Sequence, residues 1–309
     1  MDGFQMITLI TWMAMSIRLA MPLLFTALGG VISERAGIFN FALEGMMLAG
    51  AFFGYYGSMI SGSPWIGLLF AVIAGGLTGL LLAFTSVTLG VSQLVVGLGI
   101  NIFYLGLTGY FYRLIDKTSG SAAVAPMFTN LKIPVFSSLP LVGEVFFHHN
   151  IMVYFGIILV VLTAWFLNKT TMGLSLRSVG ENPRAADTVG INVFKMRYAA
   201  TIVSGMFAAT GGAFLTLTQV SRFLENMVEG RGWIALAAII FGKWKPWGVF
   251  GACLLFGAAD ALQMQMQIIG VKIPYQIALM TPYILTMLAL AGVVGKVRCP
   301  AAVGKPYVK

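Results

Sequence analysis

The sequence predicts an all-α integral membrane protein with about eight transmembrane helices plus a half-length or re-entrant segment. Of the 309 residues, 59% are hydrophobic and only 9% are charged. A soluble domain carries roughly 25% charged residues. The apolar runs are long and continuous, whereas the strands of a membrane β-barrel would alternate apolar and polar residues. The high glycine content, 37 residues, suits close packing between membrane helices.

Five apolar segments precede the middle of the chain, and each has about the length that a span requires, roughly 20 residues. The first contains Arg18 and Pro22, so we expect it to be tilted or kinked. A short polar break, residues 33–40, follows it. The five segments are residues 4–31, 41–60, 65–89, 91–112 and 151–168.

Three further full-length segments and one short segment follow. Residues 232–242 are apolar but cover only about half a bilayer at ~1.5 Å per residue. The turn after them carries Trp244 and Trp247 beside two lysines, which is typical of a membrane interface. The full-length segments are residues 198–220, 247–271 and 273–295.

The distribution of Lys and Arg predicts the topology. Residues 169–197 form a basic loop between two spans, which places this loop in the cytoplasm, with the N-terminus outside and the tail, residues 296–309, inside. The net charge of +9 therefore reflects topology and not nucleic-acid binding. We expect the loop to form short helices against a cytoplasmic motor protein, although a pure topology signal that touches only water and lipid headgroups explains its charges as well.

Residues 113–150 are the longest predicted external loop. Short apolar patches within it indicate a loop that packs at the membrane surface. Its adjacent histidines, His148 and His149, do not have the spacing of a metal site, and we expect both to be solvated. The whole chain, residues 1–309, is predicted to form a single transmembrane domain.

The two halves of the chain share a faint pattern. In the first half, ALGG is followed by SERAGIFNFALEG, and in the second half ATGG is followed by SRFLENMVEGRG. The first connection would face inward and the second outward, which is the arrangement that an inverted repeat requires.

Polar residues inside apolar segments are the first candidates for a solute path, because they are costly in lipid and usually face a cavity or another helix. Asn40 and Glu44 are four residues apart, which predicts a shared helix face, and Gln93 and Asn101 are eight apart. Hydrogen bonding between helices explains the same residues without a path. Nearby aromatic residues suit stacking on a planar ligand, although packing is their commoner role; they are Phe39, Phe41, Phe103, Tyr104 and Trp233.

Motifs for catalysis are missing from the sequence. No Walker A pattern is present, so this chain is not expected to bind ATP or magnesium itself. No nucleophile elbow or cysteine pair is found. A membrane enzyme that acts on a lipid would need a clustered catalytic set near the interface.

Three stretches resemble the permease subunits of bacterial ABC importers in the family that includes ribose, branched-chain amino acid and nucleoside systems. They are SERAGIFNFALEGMMLAGAFFG, SVGENPRAADTVGINVFKMRYAA and ENMVEGRGWIALAAIIFGKWKPWG. The similarity extends over roughly residues 15–295 and is greatest to the shorter permease of the nucleoside-type importers. The resemblance implies a multi-pass protein of the bacterial inner membrane.

The resemblance also implies partners: a second permease, two ATP-binding subunits that hold ATP and magnesium, and an external solute-binding lipoprotein. It identifies a segment that couples the permease to the ATPase, and Asn182-Pro183 within that segment is a helix-start signal. The expected coupling residues are Gly180, Glu181, Asn182, Pro183, Arg184, Ala185, Ala186 and Asp187, and the small Ala185 and Ala186 would allow close docking. The expected substrate-path residues are Asn40, Glu44, Gln93, Asn101 and Asn226.

Alternatives to a nucleoside importer remain open at this point. A simple sugar such as ribose, or a branched-chain amino acid, fits the same residues. An ion-coupled secondary transporter would use an intramembrane acid, Glu44 or Asp260, and its broken helices would suit the half-length segment. Residue chemistry gives no account of Arg18 or of the glutamine run, which consists of Gln263, Gln265 and Gln267.

Overall fold

The structure of the chain is a computed structural model that describes residues 3–119, 124–132, 145, 147–269, 280, 284 and 299–307. The described residues form ten α-helices and one two-stranded antiparallel sheet. The helices are α1 (Gly3–Arg35), α2 (Leu43–Ser61), α3 (Pro64–Ala83), α4 (Gln93–Ser119), α5 (Ile151–Lys169), α6 (Thr171–Glu181), α7 (Pro183–Thr188), α8 (Val193–Phe214), α9 (Arg231–Phe241) and α10 (Pro246–Ile269). Turns of π-helix, Phe84–Thr88 and Leu215–Val220, extend α3 and α8. The strands are β1 (Asn130–Lys132) and β2 (His148–Asn150).

The predicted all-α membrane fold is confirmed. Among the described helices, six are long and apolar enough to cross a membrane, judged by length and composition. Helix α2 has 19 residues and is buried on most sides, so it is shielded more by protein than by lipid. The predicted half-length segment is α9, with 11 residues. The predicted last span, residues 273–295, falls largely outside the described residues.

Two predicted boundaries are wrong. Helix α1 continues through Arg35, so the break begins after the predicted residue 33. Polar residues at this end remain helical because they find partners, as where the Ser33 hydroxyl donates to the Gly30 carbonyl at 3.1 Å. Helix α4 extends to Ser119, beyond the predicted end of that span at residue 112.

Helices α1 and α8 form the centre of the bundle and run antiparallel. Gly211 of α8 lies against Pro22, whereas Gly29 lies against Ser204, so contacts move down one helix as they move up the other. In both helices, 78% of the most apolar 18-residue stretch is buried inside the protein. These two helices therefore serve as the scaffold on which the others are arranged.

Helix α3 approaches α8 at a pair of glycines. A Cβ atom on Gly75 would lie 2.3 Å from the Gly205 carbonyl oxygen, and a Cβ on Gly205 would lie 2.1 Å from the Gly75 carbonyl oxygen. Neither position has room for a side chain. Such backbone contact is how membrane helices gain van der Waals packing without a hydrophobic driving force.

The connection between α4 and α5 packs on the bundle where it is described. The Phe128 N–H donates to the Leu217 carbonyl at 2.9 Å, and β1 pairs with β2. The expectation that both histidines are solvated is wrong for His149, which is only 1% exposed. Its Nε2 donates to the Val145 carbonyl at 2.8 Å, because the pairing of β2 turns this side chain inward.

Three residues that the sequence left unexplained or misassigned have clear positions. Arg18 on α1 lies close enough to His149 to act on it electrostatically, which places it near the connection between α4 and α5. Gln265 on α10 is buried against α1, and its Nε2 donates to the Thr8 carbonyl at 3.2 Å. Trp244 is buried, with its indole N–H bonded to Glu34, so it is not the interfacial residue that the sequence predicted.

The two breaks predicted by the repeat pattern lie opposite each other. Helix α1 is followed by non-helical residues 36–42, and α8 is followed, after its π turn, by non-helical residues 221–230. Since α1 and α8 are antiparallel, the two breaks enter the bundle from opposite sides. The helices that follow them, α2 and α9, meet at their N-terminal ends. This arrangement agrees with the predicted inverted repeat.

Candidate functional site

The break after α1 is held by side chains of α4. Residues 36–42 form no helix, so their backbone groups need other partners. Gln93 Oε1 accepts from the Phe39 N–H at 2.7 Å, and Asn101 Nδ2 donates to the Phe41 carbonyl at 2.9 Å. The predicted common face of Gln93 and Asn101 is therefore confirmed. Irregular backbone at membrane depth is tolerated only where such partners, or water in a cavity, are present.

Asn40 fixes the other side of the same break. Its Nδ2 donates to the Ser204 hydroxyl of α8 at 2.9 Å, and its Oδ1 accepts from the Ala42 N–H at 3.0 Å. The predicted helical face shared by Asn40 and Glu44 is wrong, because α2 begins only at Leu43. Asn40 is fully buried, so its role here is to tie the break to α8.

Glu44 joins the two breaks directly. One carboxylate oxygen accepts from the Gly230 N–H at 2.8 Å, and the other accepts from the Gly232 N–H at 2.7 Å. These N–H groups belong to the N-terminus of α9, which has no intrahelical acceptors for them and carries a positive partial charge. A Cβ on Gly232 would lie 2.5 Å from the Glu44 backbone nitrogen, so the two helices touch at this point.

The length of α9 indicates the depth of this contact. Its 11 residues rise about 16 Å, which is roughly half of the hydrocarbon core. The helix ends just before Trp244, whose carbonyl accepts from Arg35 Nε at 3.1 Å and from Arg35 Nη2 at 3.0 Å. Because Arg35 is the last residue of α1, the contact between Glu44 and α9 lies roughly half the thickness of a hydrocarbon core away from the end of α1.

Aromatic side chains surround the contact. Phe39 and Phe41 stack with ring centroids 4.3 Å apart and planes 25° apart, and Trp233 lies 6.4 Å from Phe41. Trp233 is 41% exposed and follows Gly232 directly. The site therefore offers π faces beside a carboxylate and the amide of Asn101, an arrangement suited to a planar polar solute.

The remaining expected path residue, Asn226, lies in the turn before α9. Its φ is 57°, its side chain is exposed, and its carbonyl accepts from the Glu229 N–H at 3.1 Å. The structure thus brings Asn40, Gln93 and Asn101 to the break after α1 but places Asn226 in the other break, residues 221–230.

The expected coupling segment forms the two short helices α6 and α7. Asn182 separates them, and its side-chain oxygen accepts from the Ala185 N–H at 3.1 Å, so it caps α7 directly before Pro183. The helix start predicted at Asn182-Pro183 is confirmed. Of the expected coupling residues, the exposed ones are Glu181, Asn182, Arg184 and Ala185, the half-buried ones are Pro183 and Asp187, and the buried ones are Gly180 and Ala186.

Gly180 and Ala186 are occupied by contacts within the chain. A Cβ on Gly180 would lie 2.1 Å from the Arg35 carbonyl oxygen, so α6 rests on the end of α1. Ala186 packs with Val179 and Val193. The small size of Ala186 therefore serves packing inside this chain, and the exposed residues are the ones that remain available to a partner.

Sequence reasoning missed the role of the tail. The Ala302 N–H donates to the Gly180 carbonyl at 2.9 Å, and the Gly304 N–H donates to the Gly37 carbonyl at 3.3 Å. The buried Arg197 guanidinium donates from Nη1 to the Lys305 carbonyl at 3.1 Å. The tail thus bridges the coupling segment, the break after α1 and helix α8.

Tyr307 completes this bridge. Its ring lies 5.7 Å from that of Phe194, at an interplanar angle of 62°. Burial and a hydrogen bond with Asp187 raise the pKa of Tyr307, so its hydroxyl stays protonated and donates to the carboxylate. No signal in the sequence indicates these contacts, because backbone groups make most of them.

No group of three or more His, Cys, Asp or Glu side chains within the described ranges is placed to hold a metal ion. The fold provides a group of polar and aromatic side chains where the two breaks meet, and a surface segment joined to it through Gly37 and the tail.

Comparison with known proteins found a matching family and several similar proteins. The family described as branched-chain amino acid transport system / permease component matches residues 12–291. The guanosine ABC transporter permease protein NupQ of Bacillus subtilis (strain 168) is 42% identical over 302 residues, 94% of either chain. The nucleoside ABC transporter permease protein NupC of Lactococcus lactis subsp. cremoris (strain MG1363) is 39% identical, covering 93% of either chain.

A third relative carries a different substrate in its name. The putative glucose ABC transporter permease protein TsgC13 of Haloferax volcanii (strain ATCC 29605) is 36% identical over 82% of this chain and 76% of its own. No solved structure matches the chain.

Proposed function

The chain belongs to the branched-chain amino acid transport system / permease component family, and from this premise we propose that it is the permease subunit of an ATP-driven importer of nucleosides. The relatives named for guanosine and nucleosides are 42% and 39% identical to it over nearly their whole length. The relative named for glucose is less similar, and its alignment covers a smaller share of both chains. A sugar or a branched-chain amino acid is therefore the less favoured cargo.

The importer comprises further subunits. We place a second permease beside this chain, two ATP-binding subunits beneath it and an external solute-binding lipoprotein above it. ATP and magnesium belong to the ATP-binding subunits. The N-terminus of this chain faces outward and its tail faces the cytoplasm, since the basic segment 169–197 is retained inside.

The observation that carries the proposed path is the hydrogen bonding of Glu44 to the N-terminus of α9. It joins two broken helices near mid-membrane, which is where transporters of this construction bind solute. The nucleobase stacks on the aromatic group formed by Phe39, Phe41 and Trp233. Asn101 and Glu44 supply polar contacts for the sugar or the base edge.

The coupling step uses the exposed part of α6 and α7. Glu181 and Arg184 contact an ATP-binding subunit, while Gly180 and Ala186 hold the helices against the rest of the chain. When the ATP-binding subunits close, α6 and α7 move as one unit. The movement reaches the break after α1 through Gly180, which rests on Arg35, and through the tail.

Transport assays in the host cell test the proposed function. Deletion of the chain should abolish ATP-dependent uptake of radiolabelled guanosine and leave uptake of glucose and leucine unchanged, and the wild-type chain supplied in trans should restore it. Loss of glucose or leucine uptake with retention of guanosine uptake would replace the nucleoside by that solute. Uptake that stops when the ion gradient is dissipated, with ATP maintained, would move the chain to the ion-coupled class.

A variant tests the stacking role of Trp233. Trp233→Ala should raise the KM for guanosine by about 5-fold or more, because stacking of a base on an aromatic ring contributes roughly 1–3 kcal/mol. Trp233→Phe should recover most of the affinity. Trp247→Ala is the matched control, since Trp247 is also exposed but lies at the start of α10.

A further inference from the structure

A cavity of about 390 Å³ opens between the ends of helices α1, α5 and α6 and the turn before α10. It lies on the same side of the molecule as the coupling segment and is separate from the proposed solute path. Three cationic side chains line it, Arg35, Arg177 and Lys245, and no carboxylate is among its lining residues.

The cations of this pocket are held in place without a neutralising anion in the lining. Arg35 is fixed by its two hydrogen bonds to the Trp244 carbonyl. Arg177 lies near enough to Arg35 for the two charges to repel each other. The Nε atom of Arg177 is buried and has no hydrogen-bond partner within the part of the chain that the structure describes. A buried donor of this kind calls for an acceptor, since leaving it unpaired costs stability.

Two carboxylates lie nearby but do not fill the pocket. Glu181 attracts Arg35 from the end of α6, where its own side chain is exposed. Glu34 is buried on α1 and accepts from the Trp244 indole N–H. Since both lie outside the lining, the three cations face the open space of the pocket.

Apart from Asn168, whose Nδ2 donates to the Ala164 carbonyl, the remaining lining is mostly apolar and lies at the level where the spans end. Leu167 is two residues before the end of α5, and Pro246 is the first residue of α10. Trp247 also lines the pocket and is 57% exposed, the usual position of a tryptophan at the boundary between headgroups and hydrocarbon. A ligand for this pocket therefore has an anionic part and an apolar part.

We propose that this pocket binds the headgroup of an anionic phospholipid, with phosphatidylglycerol as the representative. The phosphate accepts hydrogen bonds from Arg35 and Arg177 and pairs with Lys245, while the upper acyl chains lie along Trp247 and Leu167. Basic pockets between membrane helices on the cytoplasmic side recognise anionic headgroups by this chemistry. A free phosphate would use the three cations but leave the apolar wall uncovered. The bound lipid would brace α6 against the turn before α10.

Native mass spectrometry of the purified, delipidated transporter tests the proposal. The wild-type complex is titrated with dioleoyl phosphatidylglycerol and, separately, with dioleoyl phosphatidylcholine. We expect tighter binding of the anionic lipid, and we expect Arg177→Gln/Lys245→Gln to weaken it by about 30-fold, since each cation near a surface contributes roughly fivefold. Lys195→Gln, which removes an exposed cation at the start of α8, should leave binding unchanged.

Two outcomes would overturn the proposal. Equal binding of both lipids, or equal binding by wild type and the double variant, would show that the pocket does not select an anionic lipid. Displacement of the lipid by millimolar sn-glycerol 3-phosphate or inorganic phosphate would identify a free anion as the ligand.

A measurement on the wild type covers the case in which the double variant fails to fold. Brominated phosphatidylglycerol should quench tryptophan fluorescence more than brominated phosphatidylcholine does, and Trp247→Phe should remove most of that difference. Equal quenching by the two lipids in the wild type would contradict the proposal.

Discussion

Glu44 is the residue on which the geometry of the proposed path depends. Each of its two carboxylate oxygens accepts a hydrogen bond from one N–H group at the N-terminus of α9. Its own helix, α2, begins one residue earlier. The sequence identifies it as an intramembrane acid but cannot identify its partners, because these are backbone groups more than 180 residues away. An acid that caps a broken helix has a structural role in addition to any contact with solute.

We predict that Glu44→Ala lowers the stability of the purified protein by about 1–3 kcal/mol, because it leaves two N–H groups of α9 without acceptors. Thermal unfolding followed by tryptophan fluorescence measures the change. Glu229→Ala, in the same turn, is the control, since the Glu229 side chain is 75% exposed. Equal midpoints for Glu44→Ala and wild type would show that Glu44 is not a structural cap.

His149 makes the connection between α4 and α5 sensitive to pH. Burial is the main cause that lowers its pKa, and the charges of Arg18 and His148 lower it further, while the hydrogen bond to Val145 raises it. The folded state therefore binds this proton less tightly than the unfolded state does, whose histidine pKa is about 6.5. It follows that stability falls as the pH drops below about 6.5.

We predict that the unfolding midpoint of the wild type drops between pH 7.5 and pH 5.5 by more than that of His149→Gln, which cannot take up the proton. His148→Gln should retain the sensitivity of the wild type, since His148 is half-buried at the start of β2. Parallel pH curves for wild type and His149→Gln would exclude His149 as the cause.

At the scale of helices, close contact between α3 and α8 is the feature most sensitive to substitution. We predict that Gly205→Ala lowers stability by about 1–3 kcal/mol, because the new methyl group would meet the backbone of Gly75 and force the helices apart. Gly99→Ala is the matched control: Gly99 lies inside α4 with open space around it. Thermal midpoints of both variants check the prediction, and a stable Gly205→Ala would contradict it.

The exposed residues of α6 and α7 carry the proposed coupling. We predict that Glu181→Ala/Arg184→Ala greatly reduces co-purification of the ATP-binding subunits and ATP-driven uptake, while the amount of inserted protein stays unchanged. Both side chains are exposed, so the fold loses little when they are removed. Quantitative mass spectrometry of the purified complex provides the measurement.

The control for this experiment removes an exposed pair elsewhere. Arg113 and Glu225 form an ion pair with 2.7 Å between Nη2 and Oε2, and this bond lowers the pKa of Glu225. Arg113→Ala/Glu225→Ala should leave the ATP-binding subunits attached. Full retention of those subunits by Glu181→Ala/Arg184→Ala would remove these two residues from the interface.

Element positions followed from the sequence because length and hydropathy determine which segments enter a membrane. The half-length segment and the helix start at Asn182 were also predicted, because each depends on residues that are close together in the sequence. The burial of His149, the indole bond of Trp244 and the hydrogen bond of Asn40 to Ser204 were not predicted, because each depends on a partner distant in the chain. The tail was missed because its contacts with Gly180 and Gly37 use backbone groups, which any residue could provide.

For the whole molecule, the central question is how the coupling segment and the solute site influence each other. The tail supplies one physical connection. It bonds to Gly180 next to α7, to Gly37 in the break after α1, and to Arg197 of α8. Gly37 is two residues from Phe39 of the aromatic group. A shift of α6 and α7 that carries the tail with it would therefore displace the break that forms the solute site.

We predict that Tyr307→Ala uncouples the transporter. The substitution removes the ring contact with Phe194 and the hydrogen bond to Asp187, which tie the end of the tail to α7 and α8. The ATP-binding subunits should remain attached and hydrolyse ATP, but nucleoside transported per ATP should fall by about 5-fold or more, the lower range of a coupling free energy of 1–3 kcal/mol.

Lys305→Ala is the control, because Lys305 contacts Arg197 through its carbonyl and its side chain is exposed. Parallel loss of hydrolysis and transport in Tyr307→Ala would instead mean that the tail only stabilises the docking surface. An unchanged ratio in a reconstituted transporter would show that the movement reaches the break through the contact of Gly180 with Arg35 alone.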